Sequence, residues 1–551
     1  MPKRRVVEVS GGSEIDNSAV VPRLCNHVDG LYQHPTVFNH SSPEGNRMYK
    51  RSIVMLLGAS VEQLQLGPLS VEETIGDSIL FRLPEMTQAV AQQLTVRMHE
   101  IIESNISIER RNILRSEALE HFLSRGSLRT AELVRTTNET HIPCYYLHHD
   151  EMPFIALSHG PSVPHTGQID KEHFEIAIVE EPYPHFRLFH ATKRSEDAPF
   201  QLTRSTEPRL LEAYAMQKLW ASQLSMQTIC DINSAISQSR ITSLVQLSEA
   251  SHDHQVVHIA SLIGGRPGKP LEGPRPRLVL IAGPSSSGKT TFAKRLSVSL
   301  EAVGVKPIVI SVDSYYKAWQ DIDPRGMQHV DWEDLAALNL DLLNENLVDL
   351  LDGKEVLVPE YDMVTSMPKG REHWINTRLP TGGLIIMEGI HCLNPKLTPR
   401  VAKEDKFQIM ISPLAAVALD DLNMVSSSQV RMMRRMVRDY LFRGRSAAGT
   451  LRQWPSVARG ERTNIFPNQN NADVVMNSAL MYEAHVLKVH AEPLLRSITP
   501  DEAEYAEAKR LLSLLNHLVP MPSHMVPPQS LLREFIGGSW FYDFAGWYKN
   551  A

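Results

Sequence analysis

A glycine-rich loop between a short apolar strand and a helix constrains this 551-residue chain more than any other feature. Residues 278–281 form an apolar run typical of a buried strand, and residues 292–303 have a helical pattern. Between them, residues 283–291 read Gly-Pro-Ser-Ser-Ser-Gly-Lys-Thr-Thr, which fits G-x-x-x-x-G-K-[ST] in the setting that this motif requires. Such a loop surrounds phosphate with backbone N–H groups, and the helix N-terminus adds a favourable dipole. The sequence therefore predicts a nucleotide site in a P-loop fold.

The residue types of this loop assign a role to each position. Lys289 is expected to bridge the β- and γ-phosphate oxygens of ATP, and the hydroxyl of Thr290 is expected to bind Mg²⁺. The predicted ATP-binding residues of the loop are Gly283, Pro284, Ser285, Ser286, Ser287, Gly288, Lys289, Thr290 and Thr291.

Two later strand patterns each end in an acidic residue. Residues 306–312 lead into Asp313, and residues 384–387 lead into Glu388. Ligands of open α/β sheets bind at the carboxyl ends of the strands. Asp313 is therefore predicted to accept a proton from an attacking hydroxyl or to order the Mg²⁺ shell, and Glu388 to order Mg²⁺ through water. The alternative for both acids is a helix-capping role.

An arginine-rich stretch follows, with Asp439 as its single acid. Positions 431, 434, 435 and 438 share one helical face. A solvated charged surface is the simple interpretation, but unpaired guanidiniums repel one another unless an anion binds. A lid that closes over phosphates fits this pattern, because arginine stabilises charge on a transferring phosphoryl group. The six arginines are Arg431, Arg434, Arg435, Arg438, Arg443 and Arg445.

Bulk composition excludes several classes of protein. A hydrophobic content of 42% and a charged content of 22% are those of a soluble globular protein. No apolar stretch approaches the ~20 residues that span a bilayer, so we expect no membrane partner. The net charge of -7 argues against nucleic-acid binding by the whole molecule and leaves local basic patches open. Four widely spaced cysteines indicate a reducing compartment, and the predicted location is cytoplasmic.

The C-terminal half resembles the uridine kinase/phosphoribulokinase family of P-loop kinases. The matching segments, in family order, are GPSSSGKTT, VDSYY, EYDMV, IIMEGIH, RRMVRDYLFRGR and NADVVMNSA. The resemblance implies that Asp313 is the base toward the acceptor hydroxyl and that Tyr316, Asp331 and Tyr361 bind a nucleoside. It implies that Arg435 and Arg438 are catalytic lid residues and that Arg443 and Arg445 bind ATP. Uridine–cytidine kinases have a histidine where this chain has Ser366 and a phenylalanine where it has Met363, and these two departures put pyrimidine specificity in question.

The N-terminal half has a resemblance of its own. Residues 44–52 resemble the junction between a TGS domain and the second, editing-like domain of threonyl-tRNA synthetase, and residues 159–167 give further support to this resemblance. The synthetase has two histidines four residues apart, and then a cysteine and a histidine four apart, which suit metal ligation. This chain has none of these ligands at the corresponding positions, which are Arg51, Met55, Ser158 and Ser162. Nearby histidines leave a displaced site open, although core or surface roles are the simpler interpretation.

These observations predict an α/β fold in which a P-loop NTPase domain with a doubly wound parallel sheet follows an α+β threonyl-tRNA synthetase-like domain. A Gly- and Pro-rich stretch supplies the clearest boundary. The predicted division is an eroded TGS-like segment at 1–47, an editing-domain-like α+β domain at 48–206, a helical connector at 207–263, a linker at 264–276, a uridine kinase-like domain at 277–495 and a helical extension at 496–551.

The leading functional prediction is an enzyme that uses ATP and Mg²⁺ to phosphorylate a nucleoside-like small molecule, of the uridine or cytidine type. One alternative is an RNA- or ribosome-associated protein whose P-loop domain only switches conformation with ATP. Asp313 and the arginine lid separate the two, because a pure switch needs no base aimed at an acceptor. Another alternative is a kinase of some other small alcohol. A homo-oligomer is also left open.

Overall fold

The computed structural model describes residues 21–22, 37–38, 43–148, 153–179, 184–191, 200–202, 204, 207–271, 273–326 and 330–542. Most of the predicted TGS-like segment at 1–47 therefore lies outside the described residues. Within it the structure describes two paired short strands, β1 (Val21–Pro22) and β2 (Val37–Phe38), and the start of the first helix.

Two antiparallel sheets with helices beside them form the N-terminal half. The four-stranded sheet has the order β3-β4-β9-β8, and the three-stranded sheet has the order β5-β6-β7. Antiparallel sheets with helices beside them make this half an α+β architecture. The elements are α1 (Pro43–Gln63), β3 (Ser70–Ile75), β4 (Ser78–Arg82), α2 (Gln88–Glu103), β5 (Ile108–Leu114), α3 (Arg115–Ser124), α4 (Leu128–Thr136), β6 (His141–Leu147), β7 (Phe154–Leu157), β8 (Phe174–Val179) and β9 (His185–His190).

Three helices connect the halves: α5 (Pro208–Gln223), α6 (Ile229–Ser237) and α7 (Ile241–Gly264). Apolar residues of α6 and α7, such as Ile232 and Val256, belong to the same buried cluster as Val279 of the central sheet. The predicted connector is thus part of the core of the kinase-like half. The Gly- and Pro-rich stretch begins with a small hairpin, β10 (Gly265–Arg266) and β11 (Lys269–Pro270), instead of an open linker.

Five parallel strands form the central sheet of the C-terminal half. They are β12 (Leu278–Ala282), β13 (Pro307–Ser311), β18 (Leu384–Glu388), β19 (Lys406–Ser412) and β20 (Val474–Asn477), in the order β13-β18-β12-β19-β20. Alternate residues of β12 enter different clusters, because Val279 and Ile281 face one core and Leu278 and Leu280 face another. Burial on both faces confirms the prediction of a doubly wound parallel sheet.

Helices and short strands surround this sheet, and the chain ends in a helical extension. The helices are α8 (Lys289–Glu301), α9 (Trp319–Ile322), α10 (Leu340–Leu351), α11 (Ser427–Arg443), α12 (Ala447–Gly460), α13 (Glu483–Arg496), α14 (Tyr505–Asn516) and α15 (Arg533–Ile536). The remaining strands are β14 (Glu355–Val358), β15 (Tyr361–Asp362), β16 (Met367–Pro368) and β17 (Ile375–Arg378). No helix among the described residues is both long and apolar enough to cross a bilayer.

Candidate active site

An open cleft of about 1010 Å³ lies at the carboxyl edge of the central sheet. It gathers most of the side chains that the sequence predicts for the site. These are Ser285, Ser286, Gly288, Lys289, Thr290, Asp313, Tyr316, Tyr361, Glu388, Arg435, Arg438, Arg443 and Arg445. Gly283, Pro284, Ser287 and Thr291 belong to the same loop and first helical turn without lining the cleft. Asp331 is exposed and does not line it.

The phosphate-binding loop is shaped by close packing around its two glycines. A Cβ atom on Gly283 would lie 2.3 Å from the carbonyl oxygen of Ile411, and Gly288 has a φ of +94°, which favours glycine. Gly288 is directly followed by α8, so the first N–H groups of this helix lack partners within it. The Lys289 ammonium folds back onto the carbonyl oxygens of Gly283 and Pro284, at 2.9 and 3.2 Å. The loop therefore presents the donors that a polyphosphate requires.

Glu388 ends strand β18 beside the P-loop and is 5% exposed. Its Oε1 accepts hydrogen bonds from the hydroxyls of Thr290 at 3.2 Å and Ser311 at 2.9 Å. Burial and the charge of Asp313 raise the pKa of Glu388 to about 7, while Lys289 opposes that shift. A cation would relieve this concentration of negative charge. The hydroxyl and carboxylate oxygens gathered here are the hard donors that Mg²⁺ prefers.

Two of the six arginines are structural. Arg431 and Arg434 are buried, at 4% and 0% exposure, and each pairs with a buried glutamate. Arg431 binds Glu461 with a 2.9 Å contact, and Arg434 Nε lies 2.6 Å from Glu483. Their guanidiniums also donate to backbone carbonyls of the P-loop. The sequence expectation of a stretch almost without counterions is therefore wrong, because distant glutamates supply the missing charge.

The other four arginines surround Asp439 and line the cleft. Arg438 Nη2 lies 2.8 Å from Asp439, and Arg435, Arg443 and Arg445 approach it at 3.4, 3.6 and 3.9 Å. Burial opposes ionisation of Asp439, but Arg438 and Arg435 hold its pKa below the usual range. One carboxylate thus organises four cations without neutralising them. The surplus positive charge lines the same cleft as Asp313 and Glu388.

Aromatic residues form the wall next to Asp313. The ring centroid of Tyr316 lies 5.6 Å from that of Tyr361 and 5.7 Å from that of Trp332. The Tyr316 hydroxyl donates to the carbonyl of Trp332 at 2.9 Å. The buried hydroxyl of Tyr361 has no hydrogen-bond partner among the described residues. Burial raises the pKa of both tyrosines, so both stay neutral. A flat, partly polar molecule fits such a wall.

Glu333 is a cleft residue that sequence analysis missed, and it stands where Asp331 was expected. Asp331 instead accepts a hydrogen bond from the backbone N–H of Glu333 at 3.1 Å. Burial raises the pKa of Glu333 to about 7, with Arg435 acting against the shift. Its Oε2 is buried with no hydrogen-bond partner among the described residues. Helix α12 makes room for it, since a Cβ on Gly460 would lie 2.2 Å from the Cβ of Glu333.

A second, smaller cavity lies where the two halves meet, and Arg51, Met55 and Ser162 line it together with Leu422 of the C-terminal half. Arg51 donates to the carbonyl of Pro161 at 3.1 Å and pairs with Glu44 at 3.0 Å. Three of the four positions that correspond to the synthetase motif therefore line one cavity. Among the described residues, no group of three or more His, Cys, Asp or Glu side chains could hold a metal ion.

Known proteins are similar to this chain over the segment that supplies most of the cleft residues. Residues 278–482 match the Phosphoribulokinase / Uridine kinase family. The chain is 28% identical over 211 residues to uridine kinase of Deinococcus deserti, covering 38% of this chain and 91% of the relative. It is 30% identical over 200 residues to uridine kinase of Staphylococcus aureus strain JH9, covering 36% of this chain and 86% of the relative. A solved structure of a possible uridine kinase from Bacillus stearothermophilus aligns at 18% identity with a TM-score of 0.25, over 38% of this chain and 91% of that one.

The P-loop, the strand-end acids and the family match coincide in the same segment of the sequence. The identity to the Staphylococcus aureus enzyme extends over most of that relative's length. The chain therefore belongs to the phosphoribulokinase/uridine kinase family.

Proposed function

We propose that this protein transfers the γ-phosphoryl group of ATP to a hydroxyl of a nucleoside-like small molecule, with uridine and cytidine as the first candidates. The observation that carries the proposal is the position of Asp313. It lines the same cleft as the P-loop and the aromatic wall, so a base and an acceptor pocket accompany the nucleotide site. A protein that only switches conformation with a nucleotide requires neither a base nor an acceptor pocket.

Three groups of cleft residues have separate roles in this phosphoryl transfer. Asp313 accepts the proton of the acceptor hydroxyl as that oxygen attacks phosphorus. Lys289 and the four cleft arginines hold the phosphate oxygens and stabilise the charge that spreads over them during transfer. The aromatic wall orients the acceptor and excludes water from its face.

Mg²⁺ fits the donor set beside the P-loop. The hydroxyl of Thr290 and the carboxylate of Glu388 are the two groups that would hold it, directly or through water. When bound, the cation neutralises charge on the transferring phosphoryl group. A cation held there would favour the ionised form of Glu388, against its burial and the nearby charge of Asp313.

Two kinds of group on the acceptor side support a nucleoside. Tyr316, Trp332 and Tyr361 offer faces for stacking, and the unpartnered oxygen of Glu333 offers an acceptor for a hydroxyl or amine. Met363 and Ser366 also line the cleft, at the positions where this chain departs from uridine–cytidine kinases. Because Ser366 is shorter than the histidine it replaces, the pocket has more room near the base.

For the N-terminal half we propose a threonyl-tRNA synthetase-like domain that has lost its site and acts as a scaffold. Arg51 places a fixed positive charge in the cavity where a cation would have to bind. Its guanidinium is already satisfied by Pro161 and Glu44, so the position serves packing.

A panel of nucleosides and sugars with γ-labelled ATP tests the proposed reaction on the full chain. We expect label to appear on a ribonucleoside and to be lost when the 5′-hydroxyl is replaced by hydrogen. A sugar or sugar phosphate labelled in preference to every nucleoside would contradict the acceptor class. ATP binding without transfer to any acceptor would favour the switch.

A further inference from the structure

The C-terminal extension, which lies outside the family match, reaches into the nucleotide site. Leu531 packs so closely on the P-loop that a Cβ on Gly288 would lie 2.4 Å from its Cδ2 atom. Phe535 is buried with the Arg434 guanidinium 5.1 Å from its ring centroid. Arg533 fixes the segment by donating to the carbonyls of Ser523 and Val526. These contacts hold the intervening Glu534 against the P-loop.

The carboxylate of Glu534 accepts a hydrogen bond from a backbone N–H group of α8, the helix that follows the P-loop. Its Oε2 accepts a hydrogen bond from the backbone N–H of Thr291 at 3.1 Å, and the side chain lines the cleft. Thr291 is the third residue of α8, so this N–H has no partner within the helix. The N–H groups of this first turn are those that a P-loop offers to phosphate. A carboxylate is favoured at such a position for the same reason as phosphate.

The charge of Glu534 also acts on the centre of the site. Its side chain lines the same cleft as Lys289, Thr290 and Glu388. Glu534 therefore opposes a nucleotide that enters the cleft in two ways. It competes with phosphate for the Thr291 N–H, and its negative charge repels the phosphate groups. Either effect alone weakens nucleotide binding.

We propose that Glu534 sets the nucleotide affinity of this kinase by occupying the Thr291 N–H, from which its carboxylate withdraws when polyphosphate binds. The inference rests on the proposed use of ATP at this site. It gives the C-terminal extension a direct role in the reaction, since that segment determines how much free ATP is required to fill the cleft.

Binding of ADP and of inorganic tripolyphosphate to the full chain tests this inference, with isothermal titration as the measurement. We expect Glu534→Gln to bind both about 3- to 30-fold more tightly, the scale of one removed charge a few ångströms from phosphate. Glu502→Gln is the matched control, because Glu502 lies in the same extension but outside the cleft. Its carboxylate accepts a hydrogen bond from the backbone N–H of Thr499. This variant should bind both as the wild type does. Glu534→Ala should change affinity in the same direction, and circular dichroism verifies that each variant is folded.

The outcomes separate the inference from the function on which it rests. Unchanged or weaker binding by folded Glu534→Gln and Glu534→Ala overturns the inference, and weaker binding would identify Glu534 as a nucleotide-holding group. Tighter binding of ADP without tighter binding of tripolyphosphate also overturns it, because the competition is for phosphate. If the wild type binds neither compound, the proposed function itself fails.

Discussion

Glu333 is a cleft residue whose buried environment opposes its charge. Its carboxyl group is buried beside Arg435 and still has a pKa raised to about 7. An acid whose pKa is higher in the folded state than in the unfolded chain favours folding at low pH. That contribution is complete below about pH 4.5 and is lost as the pH rises through 7. The ionised side chain therefore costs stability at neutral and alkaline pH.

Glu333→Gln should raise the thermal unfolding temperature at pH 8, where the wild-type carboxylate is charged, and should have a smaller effect at pH 5. Differential scanning calorimetry at the two pH values measures the difference. Glu372→Gln is the control, because that side chain is 74% exposed. An equal change in unfolding temperature at both pH values would show that the ionisation of Glu333 has no part in it.

The residues that sequence analysis could identify are those within contiguous motifs. Lys289, Thr290 and Glu388 follow from local patterns, because a strand followed by a loop places them at the sheet edge. Glu333 and Glu534 could not be found this way. A two-residue difference decides that Glu333 and not Asp331 enters the cleft, and Glu534 arrives through the packing of a segment more than 240 residues after the P-loop.

Helix α11 carries two kinds of arginine, which the sequence could not distinguish. Its start is well specified, since Ser426 and Gln429 form a reciprocal capping box. Its arginine spacing predicts a shared face for Arg431 and Arg434 with Arg435 and Arg438. In the structure, Arg431 and Arg434 are instead buried in the core. They pair there with Glu461 and Glu483, which come from other elements. Knowledge of those partners requires the tertiary fold.

Arg434→Met and Arg438→Met should separate stability from activity. The first leaves Glu483 buried and unpaired and should cost about 3–5 kcal/mol of unfolding free energy. The second leaves Asp439 with three other arginines and should cost less than about 1 kcal/mol, while phosphoryl transfer falls by about 10²-fold or more. Urea unfolding and turnover measure the two effects. Equal stability losses in both variants would contradict the division into structural and cleft arginines.

At the scale of the whole molecule, the two halves are joined at the segment that leads into α11. Asp420 is buried there and lies 2.7 Å from His159 of the N-terminal half. Its neighbour Asp421 accepts hydrogen bonds from the backbone and the hydroxyl of Thr130. Composition predicted a boundary between the halves, and it could not predict these contacts because they lie far apart in sequence. The N-terminal half therefore supports the segment that carries the cleft arginines.

We expect purified full-length protein to contain no stoichiometric zinc. Arg51 and Met55 cannot act as ligands at a site of this kind, and Ser162 hydrogen-bonds to Ser52 at 2.8 Å. Elemental analysis after dialysis against a weak chelator gives the metal content per chain. One tightly bound zinc per chain would contradict the scaffold role, since it would require the histidines of this half to form a site.

The central claim is that Asp313 is the base of a phosphoryl transfer. Its most direct test is single-turnover transfer from γ-labelled ATP to the acceptor identified by the panel, compared between the wild type and Asp313→Asn, with ATP affinity measured in parallel. The account predicts near-normal ATP affinity and a loss of transfer of about 10²-fold or more. Transfer at the wild-type rate by folded Asp313→Asn would contradict it.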